Sequence, residues 1–213
     1  MRRAPELWWA LAAMAVITAA YLTFARATTP GALVGHGLGI LGFVLMLATE
    51  TLYSIRKRKR GRAFGPMRTW LRAHIFTGIV GSYMVLLHTS WQFGGLAGWT
   101  MLATIVVVVS GFVGRYLYAA LPRTIDGDEA TLAEVQSRLA EVEAAAGQAT
   151  LGDAERRRQQ AEHRRLQRQQ RGLARVRRLL ALWHLFHVPL GMVLFTLAFA
   201  HIAAAIYFTA RLW

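Results

Sequence analysis

Long apolar runs separated by short polar segments make up most of this chain of 213 residues. Five of the runs are long enough to cross a bilayer as α-helices, because a helical span needs about 20 residues. They cover residues 7–25, 32–55, 70–91, 97–120 and 179–207. No segment shows the strict alternation typical of β-strands. The pattern therefore predicts an all-α membrane protein built as a five-helix transmembrane bundle.

A different pattern fills the segment between the fourth and fifth apolar runs. Its first half has apolar residues every three or four positions, at Leu132, Val135, Leu139 and Val142. Its second half is rich in Arg and Gln and has leucines at heptad intervals, at Leu166, Leu173 and Leu180. We therefore expect a helical hairpin between spans four and five, with its second arm running unbroken into span five.

Basic residues are concentrated in three clusters, which account for most of the net charge of +14. Arg2 and Arg3 precede the first span, six Lys and Arg residues lie within 56–62, and ten arginines lie within 156–178. If the chain crosses a membrane five times, all three clusters fall on one side, and such clusters favour the cytoplasmic side. We therefore expect a multi-pass protein of a bacterial cytoplasmic membrane, with a cytoplasmic N-terminus. Because topology accounts for the charge, no nucleic-acid partner is expected.

The predicted organisation has three parts: spans one to four over residues 1–121, a cytoplasmic coiled hairpin over 122–178, and span five over 179–213. The start of the chain also has features of a signal peptide, with Met1–Arg3 basic and Ala25–Ala27 similar to a cleavage site. Its apolar core is longer than the typical h-region of about 7–15 residues. We therefore expect the first span to be retained.

Two of the predicted spans each carry a pair of histidines fourteen positions apart: His74 and His88, then His187 and His201. Fourteen residues turn an α-helix through about 1,400°, about 40° short of four turns, so each pair shares one face. The rise is about 21 Å, which places one histidine near each end of the span. Both spans enter from the same side, so His74 should match His187 in depth and His88 should match His201.

Four histidines at matched depths predict a cofactor, because imidazole is rare within hydrocarbon. The chain has no cysteine, which excludes disulfides, thiolate-ligated iron–sulfur clusters, c-type haem attachment and Cys-based zinc sites. Two non-covalent haems b, each held by one histidine from either span, would use all four side chains. Gly78, Gly81 and Gly191 lie on the same faces and leave room for a flat macrocycle, although small residues also favour close packing of membrane helices.

With this spacing, the chain resembles the di-haem transmembrane cytochromes b. That group includes respiratory cytochrome b and the membrane domains of ferric reductases and NADPH oxidases. The resemblance covers roughly residues 67–122 and 179–207 and rests on ligand spacing. It implies that the four paired histidines are axial ligands of haem iron, and that electrons cross the membrane between the two haems. The reductases carry a flavin or nicotinamide domain after their last span, and this sequence does not, so direct NAD(P)H oxidation is not expected.

Three further residues are candidates for contact with a cofactor. Arg115 lies near the expected depth of His74, where it would pair with a haem propionate or reach a lipid phosphate. His36 is placed to contact the outer haem or a quinone, or to form a structural hydrogen bond. His184 lies three residues before His187 and is the alternative ligand, with a propionate or quinone contact as its other expected role.

These features together favour a di-haem b cytochrome that relays electrons across the membrane between a redox partner and a quinone or second partner. It would act as the electron-transfer subunit of an oxidoreductase complex, with the basic hairpin as a candidate docking platform. The alternative is a non-catalytic membrane scaffold or a transporter whose histidines bind zinc or copper. A transporter would more often have carboxylates or broken helices near mid-membrane, and the spans have almost no acidic residues apart from Glu50.

Overall fold

The computed structural model describes residues 5–27, 33–58, 67–120, 132–148 and 152–211. Within these ranges the chain is almost entirely α-helical and has no β-strand, which confirms the predicted fold class. The helices are α1 Pro5–Ala27, α2 Leu33–Arg58, α3 Met67–His88, α4 Gly95–Ala119, α5 Leu132–Gln148 and α6 Asp153–Ala210.

Five of these helices are long and apolar enough to span a membrane, as predicted. The candidate spans are Pro5–Phe24, Val34–Arg56, Thr69–His88, Gly95–Ala119 and a stretch within Ala154–Phe208. Many of their large apolar side chains are exposed on the protein surface, among them Leu41, Val44 and Met192. A helix that is apolar on all sides is typical of a membrane span, because lipid accommodates what water does not. The helices therefore fit a multi-pass membrane protein.

Helix α3 ends at His88, three residues before the predicted end of the third span at Trp91. Ser90 and Trp91 have φ angles of 48° and 63°. This left-handed region is unfavourable for residues other than glycine and cannot continue a right-handed helix. The chain turns here and α4 begins at Gly95, so His88 occupies the last position of α3.

The chain divides into two compact units, one comprising Met1–Gly111 with Leu190–Trp213 and the other Phe112–Pro189. In the first unit, α3 packs against both α1 and α2. The end of α6 in this unit lies beside α2, where the Phe43 ring meets Phe195 and Phe199 edge-on at centroid distances of 6.3 and 5.4 Å. This unit contains three of the four paired histidines.

Glycines allow α2 and α3 to approach closely at the middle of the two helices. A Cβ atom built on Gly81 would lie 2.8 Å from the carbonyl oxygen of Gly42, and one built on Gly42 would lie 2.7 Å from the carbonyl oxygen of Gly81. Both distances are too short for a carbon atom beside a backbone oxygen. Small residues that bring helix backbones together are a common basis of helix association in lipid. Gly81 therefore has a role in packing.

We expect Gly81→Ala to lower the free energy of unfolding by about 1–3 kcal/mol, because the added methyl group must separate two backbones. Gly37→Ala is the matched control, since a Cβ atom there would meet nothing within 4 Å. The control should be neutral or slightly stabilising, as alanine favours helix more than glycine does. Thermal unfolding in detergent measures both variants. Equal midpoints for the two would contradict the close crossing.

In the second unit, α5 lies antiparallel to the first part of α6. Val135 packs against Leu173, which is fully buried, and Tyr118, Val176 and Leu180 surround this pair. Nearer the opposite end, Nε2 of His163 lies 2.8 Å from Oε1 of Glu143. Of the predicted heptad leucines, Leu173 and Leu180 thus lie in the cluster with Val135, and Leu166 is buried as well.

Helix α6 runs unbroken from Asp153 to Ala210, which confirms that the second arm continues into span five. The predicted boundary at 121/122 lies outside the described residues. The charge distribution predicts that α5 and the Arg-rich first part of α6 lie on the cytoplasmic side.

Because the chain lacks cysteine, single introduced thiols can test this topology without background. We expect Gln92→Cys, in the turn between α3 and α4, to react with an impermeant maleimide in intact spheroplasts. Ala161→Cys, in the Arg-rich arm, should react only after permeabilisation, because Lys and Arg segregate to the cytoplasmic side. Labelling of Ala161→Cys from outside would overturn the predicted orientation.

Candidate functional site

His74 lies two turns into α3 and is held by α2. Its Nδ1 atom is 3.3 Å from the carbonyl oxygen of Thr49, and its ring lies 4.8 Å from the ring of Tyr53, measured between centroids. The side chain is partly buried. A carbonyl oxygen only accepts hydrogen bonds, so Nδ1 carries the proton and donates it.

His88, at the other end of α3, is held by α2 in the same way. Its Nδ1 atom lies 2.8 Å from the carbonyl oxygen of Gly35. The ring packs over Gly39, where a Cβ atom would lie 2.8–2.9 Å from three ring atoms. His36 meets the His88 ring edge-on at a centroid distance of 5.6 Å. Glycine at position 39 thus makes the space that the imidazole occupies.

The two histidines of α3 therefore share one arrangement, fourteen residues apart. In each, Nδ1–H donates to a backbone carbonyl of α2, which fixes the tautomer and leaves the lone pair on Nε2. Histidines that bind metals characteristically donate their second N–H to a carbonyl or carboxylate, which orients the ring. The arrangement leaves Nε2 of each ring as the atom placed to bind a metal.

The predicted histidine face of α6 is turned inward in the first unit. Leu194 and Ala198, which lie between the two histidines of this helix, are both buried. His201 is partly buried and lies within electrostatic range of His88. The structure thus brings together the two histidines that were predicted to share the outer level.

His187 belongs to the second unit, whereas His74 belongs to the first. The His187 ring stacks on the indole of Trp183, with 4.6 Å between centroids and an interplanar angle of 24°. The indole occupies a notch over Gly114, where any added Cβ atom would clash with it. Arg115 follows Gly114 directly and is partly buried. Trp183 therefore connects α4 to the candidate ligand.

His184 is held within its own helix. Its Nδ1 atom lies 3.0 Å from the carbonyl oxygen of Leu180, one turn earlier in α6. Its ring also meets Trp183, edge-on at 4.6 Å between centroids. His184 and His187 thus contact the same indole, but only His187 stacks on it.

The three candidate glycines have different surroundings. A Cβ atom on Gly191 would meet nothing within 4 Å, and one on Gly78 would meet only the methyl group of Thr49, at 3.9 Å. These two positions have room beside the helix backbone. Gly81 lies against Gly42, as described above.

The sequence analysis did not predict that α2 would position His74 and His88. Gly35, Gly39, Gly42 and Thr49 lie on one face of this helix, spaced by three, four or seven residues, and this spacing was the available signal. It also missed Trp183 and Gly114, because nothing in the local sequence relates two residues so far apart in the chain. Among the described residues, no three His, Cys, Asp or Glu side chains converge as a metal-binding group.

Comparison of the chain with protein-family models, with curated proteins and with solved structures gives no match.

Proposed function

We propose that this protein is a di-haem b cytochrome that carries electrons across a membrane, as the electron-transfer subunit of an oxidoreductase complex. The observation that carries the proposal is the matched pair of α3 histidines, each with Nδ1–H bonded to an α2 carbonyl. An axial haem ligand binds iron through one ring nitrogen, and a hydrogen bond from Nδ1–H orients the ring so that Nε2 is the nitrogen available.

The outer haem is proposed to lie between His88 and His201. These residues come from different helices, lie within electrostatic range of each other, and are partly buried. His36, edge-on to His88, lies beside this site as a candidate contact for the haem or for a quinone.

His74 and His187 are proposed as the ligands of the inner haem from their positions in the sequence, because each lies about two turns from the start of its predicted span, counted from residues 67 and 180. Thr49 orients the first ligand, and stacking on Trp183 orients the second. Arg115 would supply a positive charge for a propionate, since a guanidinium pairs well with a carboxylate. Gly191 and Gly78 would leave space for the edge of the macrocycle.

When bound, haem b supplies reversible one-electron chemistry. The protein contributes ligand geometry, an apolar shell and helix packing that excludes water from the path between the two levels. The proposal includes a redox partner on the cytoplasmic side. It also includes a quinone or second partner at the other end of the electron path. The arginines of α6 within 156–178 provide a strongly basic surface to which an acidic partner would dock.

Proteoliposomes test the relay directly. With ferricyanide trapped inside and dithionite added outside, we expect ferricyanide reduction only in vesicles that contain the haem-loaded protein. His201→Ala should abolish most of this rate, because the path loses a ligand of the outer haem. His163→Ala is the matched control, since this histidine bonds Glu143 outside the proposed path. Equal rates for the two variants would contradict the relay.

A further inference from the structure

The Arg-rich first part of α6 carries a row of arginines on one face. Leu173 packs against α5 and marks the side of the helix that α5 covers. Six arginines lie within about 40° of the opposite side. All are exposed, and they follow one another at intervals of seven, four, three, four and three residues: Arg157, Arg164, Arg168, Arg171, Arg175 and Arg178. This face, named here the arginine stripe, extends for about 32 Å along the helix.

The stripe is more uniform than membrane topology requires. From residue 157 to residue 178, every position in that sector of the helix is arginine except Gln160. The only acidic residue in the same range is Glu162, which lies on the side of α5, about 20° from Leu173. Topology depends on how many Lys and Arg residues lie near a span, whichever face they occupy. It therefore accounts for the charge of this segment but not for its alignment on one face.

The alignment is unfavourable for the helix by itself. Arg164 and Arg168 are four residues apart, as are Arg171 and Arg175, and like charges at this spacing repel each other on a helix surface. In the part of the chain that the structure describes, no carboxylate lies within ion-pairing distance of a stripe arginine. An anionic partner would relieve the repulsion. The stripe therefore has the properties of a binding surface.

The residues around the stripe favour one kind of anionic partner. A helix that binds an anionic bilayer presents large apolar side chains that enter it. Here Leu166 and Leu173 are buried and Val176 packs against Leu173, so these side chains are not offered to a bilayer. Single-stranded nucleic acid binds by stacking on aromatic side chains, and residues 157–178 include no Phe, Tyr or Trp. Guanidinium groups bind carboxylates equally well, often through two parallel hydrogen bonds. A protein surface with carboxylates is the partner that fits.

We propose that the arginine stripe binds an acidic α-helix of a partner protein, laid along α6, with carboxylates on one face at spacings of three and four residues. Side chains at these spacings share one face of a helix, so the carboxylates of the partner can match the guanidinium groups of the stripe along its length. This partner would be the cytoplasmic redox protein of the proposed function, and to that extent the inference rests on that function.

Fluorescence anisotropy tests the surface with the full-length protein in phosphatidylcholine nanodiscs and two labelled, alanine-rich peptides of equal helicity. Each peptide contains six glutamates. In the one-faced peptide they follow the spacing of the stripe, and in the dispersed peptide they are spread around the helix. We expect the one-faced peptide to bind about tenfold more tightly, because several exposed ion pairs, each weak, form together. Both affinities should fall as the salt concentration rises.

Two triple variants then assign the preference to the stripe. The stripe variant should bind the one-faced peptide about tenfold more weakly and lose the preference for it. It combines Arg164→Gln, Arg168→Gln and Arg171→Gln. The control variant removes the same charge from exposed arginines on other faces of α6 and should keep the preference. It combines Arg158→Gln, Arg165→Gln and Arg177→Gln. Both variants should stay folded, since glutamine and arginine have similar helix propensities.

Equal affinity for the two peptides, or equal losses in the two triple variants, would mean non-selective attraction of polyanions and would overturn the proposal. Stronger competition by phosphatidylglycerol vesicles or by an oligothymidylate, at equal concentrations of charge, would assign the stripe to a membrane or to nucleic acid instead. The proteoliposome assay separates this inference from the proposed function, because dithionite needs no docking surface. A normal relay without the peptide preference would contradict the stripe alone, and the peptide preference without a relay would contradict the proposed function alone.

Discussion

Replacing His88 with alanine should lower the haem content of the purified protein from about two to about one per chain, because the proposed outer haem would lose one of its two axial ligands. His201→Ala should remove the same haem. The double variant should lose no more than either single variant does, since both residues serve one cofactor. Combining His88→Ala with His74→Ala should remove both haems. This pattern of losses would pair the ligands across α3 and α6.

His36→Ala is the matched control for His88→Ala, since the two rings are neighbours and only His88 is bonded to Gly35. It should keep both haems in the low-spin state. His88→Met gives a second check, because a methionine ligand retains six-coordinate iron and raises the reduction potential. If His88→Ala retains two low-spin haems, the outer site is assigned wrongly.

His187→Ala should convert the proposed inner haem to a high-spin form or release it, whereas His184→Ala should retain two low-spin haems. From His187 to His201 the helix turns about 1,400°, about 40° from alignment, but from His184 it turns about 1,700°, about 100° away. His184 is also tied to the Leu180 carbonyl of its own helix. His187 instead stacks on Trp183, which stabilises one ring orientation.

Electron paramagnetic resonance and haem counting on both variants distinguish the two ligand assignments. Trp183→Leu adds a test of positioning. It should retain both haems but change the spectrum of the inner one, because the His187 ring loses the surface that orients it. Loss of low-spin signal in His184→Ala, with none in His187→Ala, would transfer ligation to His184 and break the match in depth with His74.

Periodicity in the sequence was enough to predict the five spans and the heptad face of α6. Both depend on residues a few positions apart on one helix, as Leu166 and Leu173 show. The face that His187 and His201 were predicted to share also carries Leu194 and Ala198, and both of these are buried. Such patterns are local because burial repeats with the helical turn.

Contacts between helices could not be predicted in this way. The α3 face that carries His74 and His88 contacts α2 through Thr49 and Gly35, whereas the sequence indicated only that it should face α6. From the sequence alone, Gly81 could either leave room for a cofactor or allow close helix packing. Gly42 lies opposite it, which shows that it allows close packing. Which helix lies against a given face depends on the side-chain shapes of both helices.

The most direct test of the central claim is the cofactor content of the unmodified protein. A pyridine haemochrome assay with iron counted per chain, on protein purified from membranes of haem-sufficient cells, should give about two haems b and about two irons per chain. Reduced and oxidised spectra should both show six-coordinate, low-spin iron. Folded, fully helical protein that contains no haem, or a single haem at full occupancy, would contradict the account.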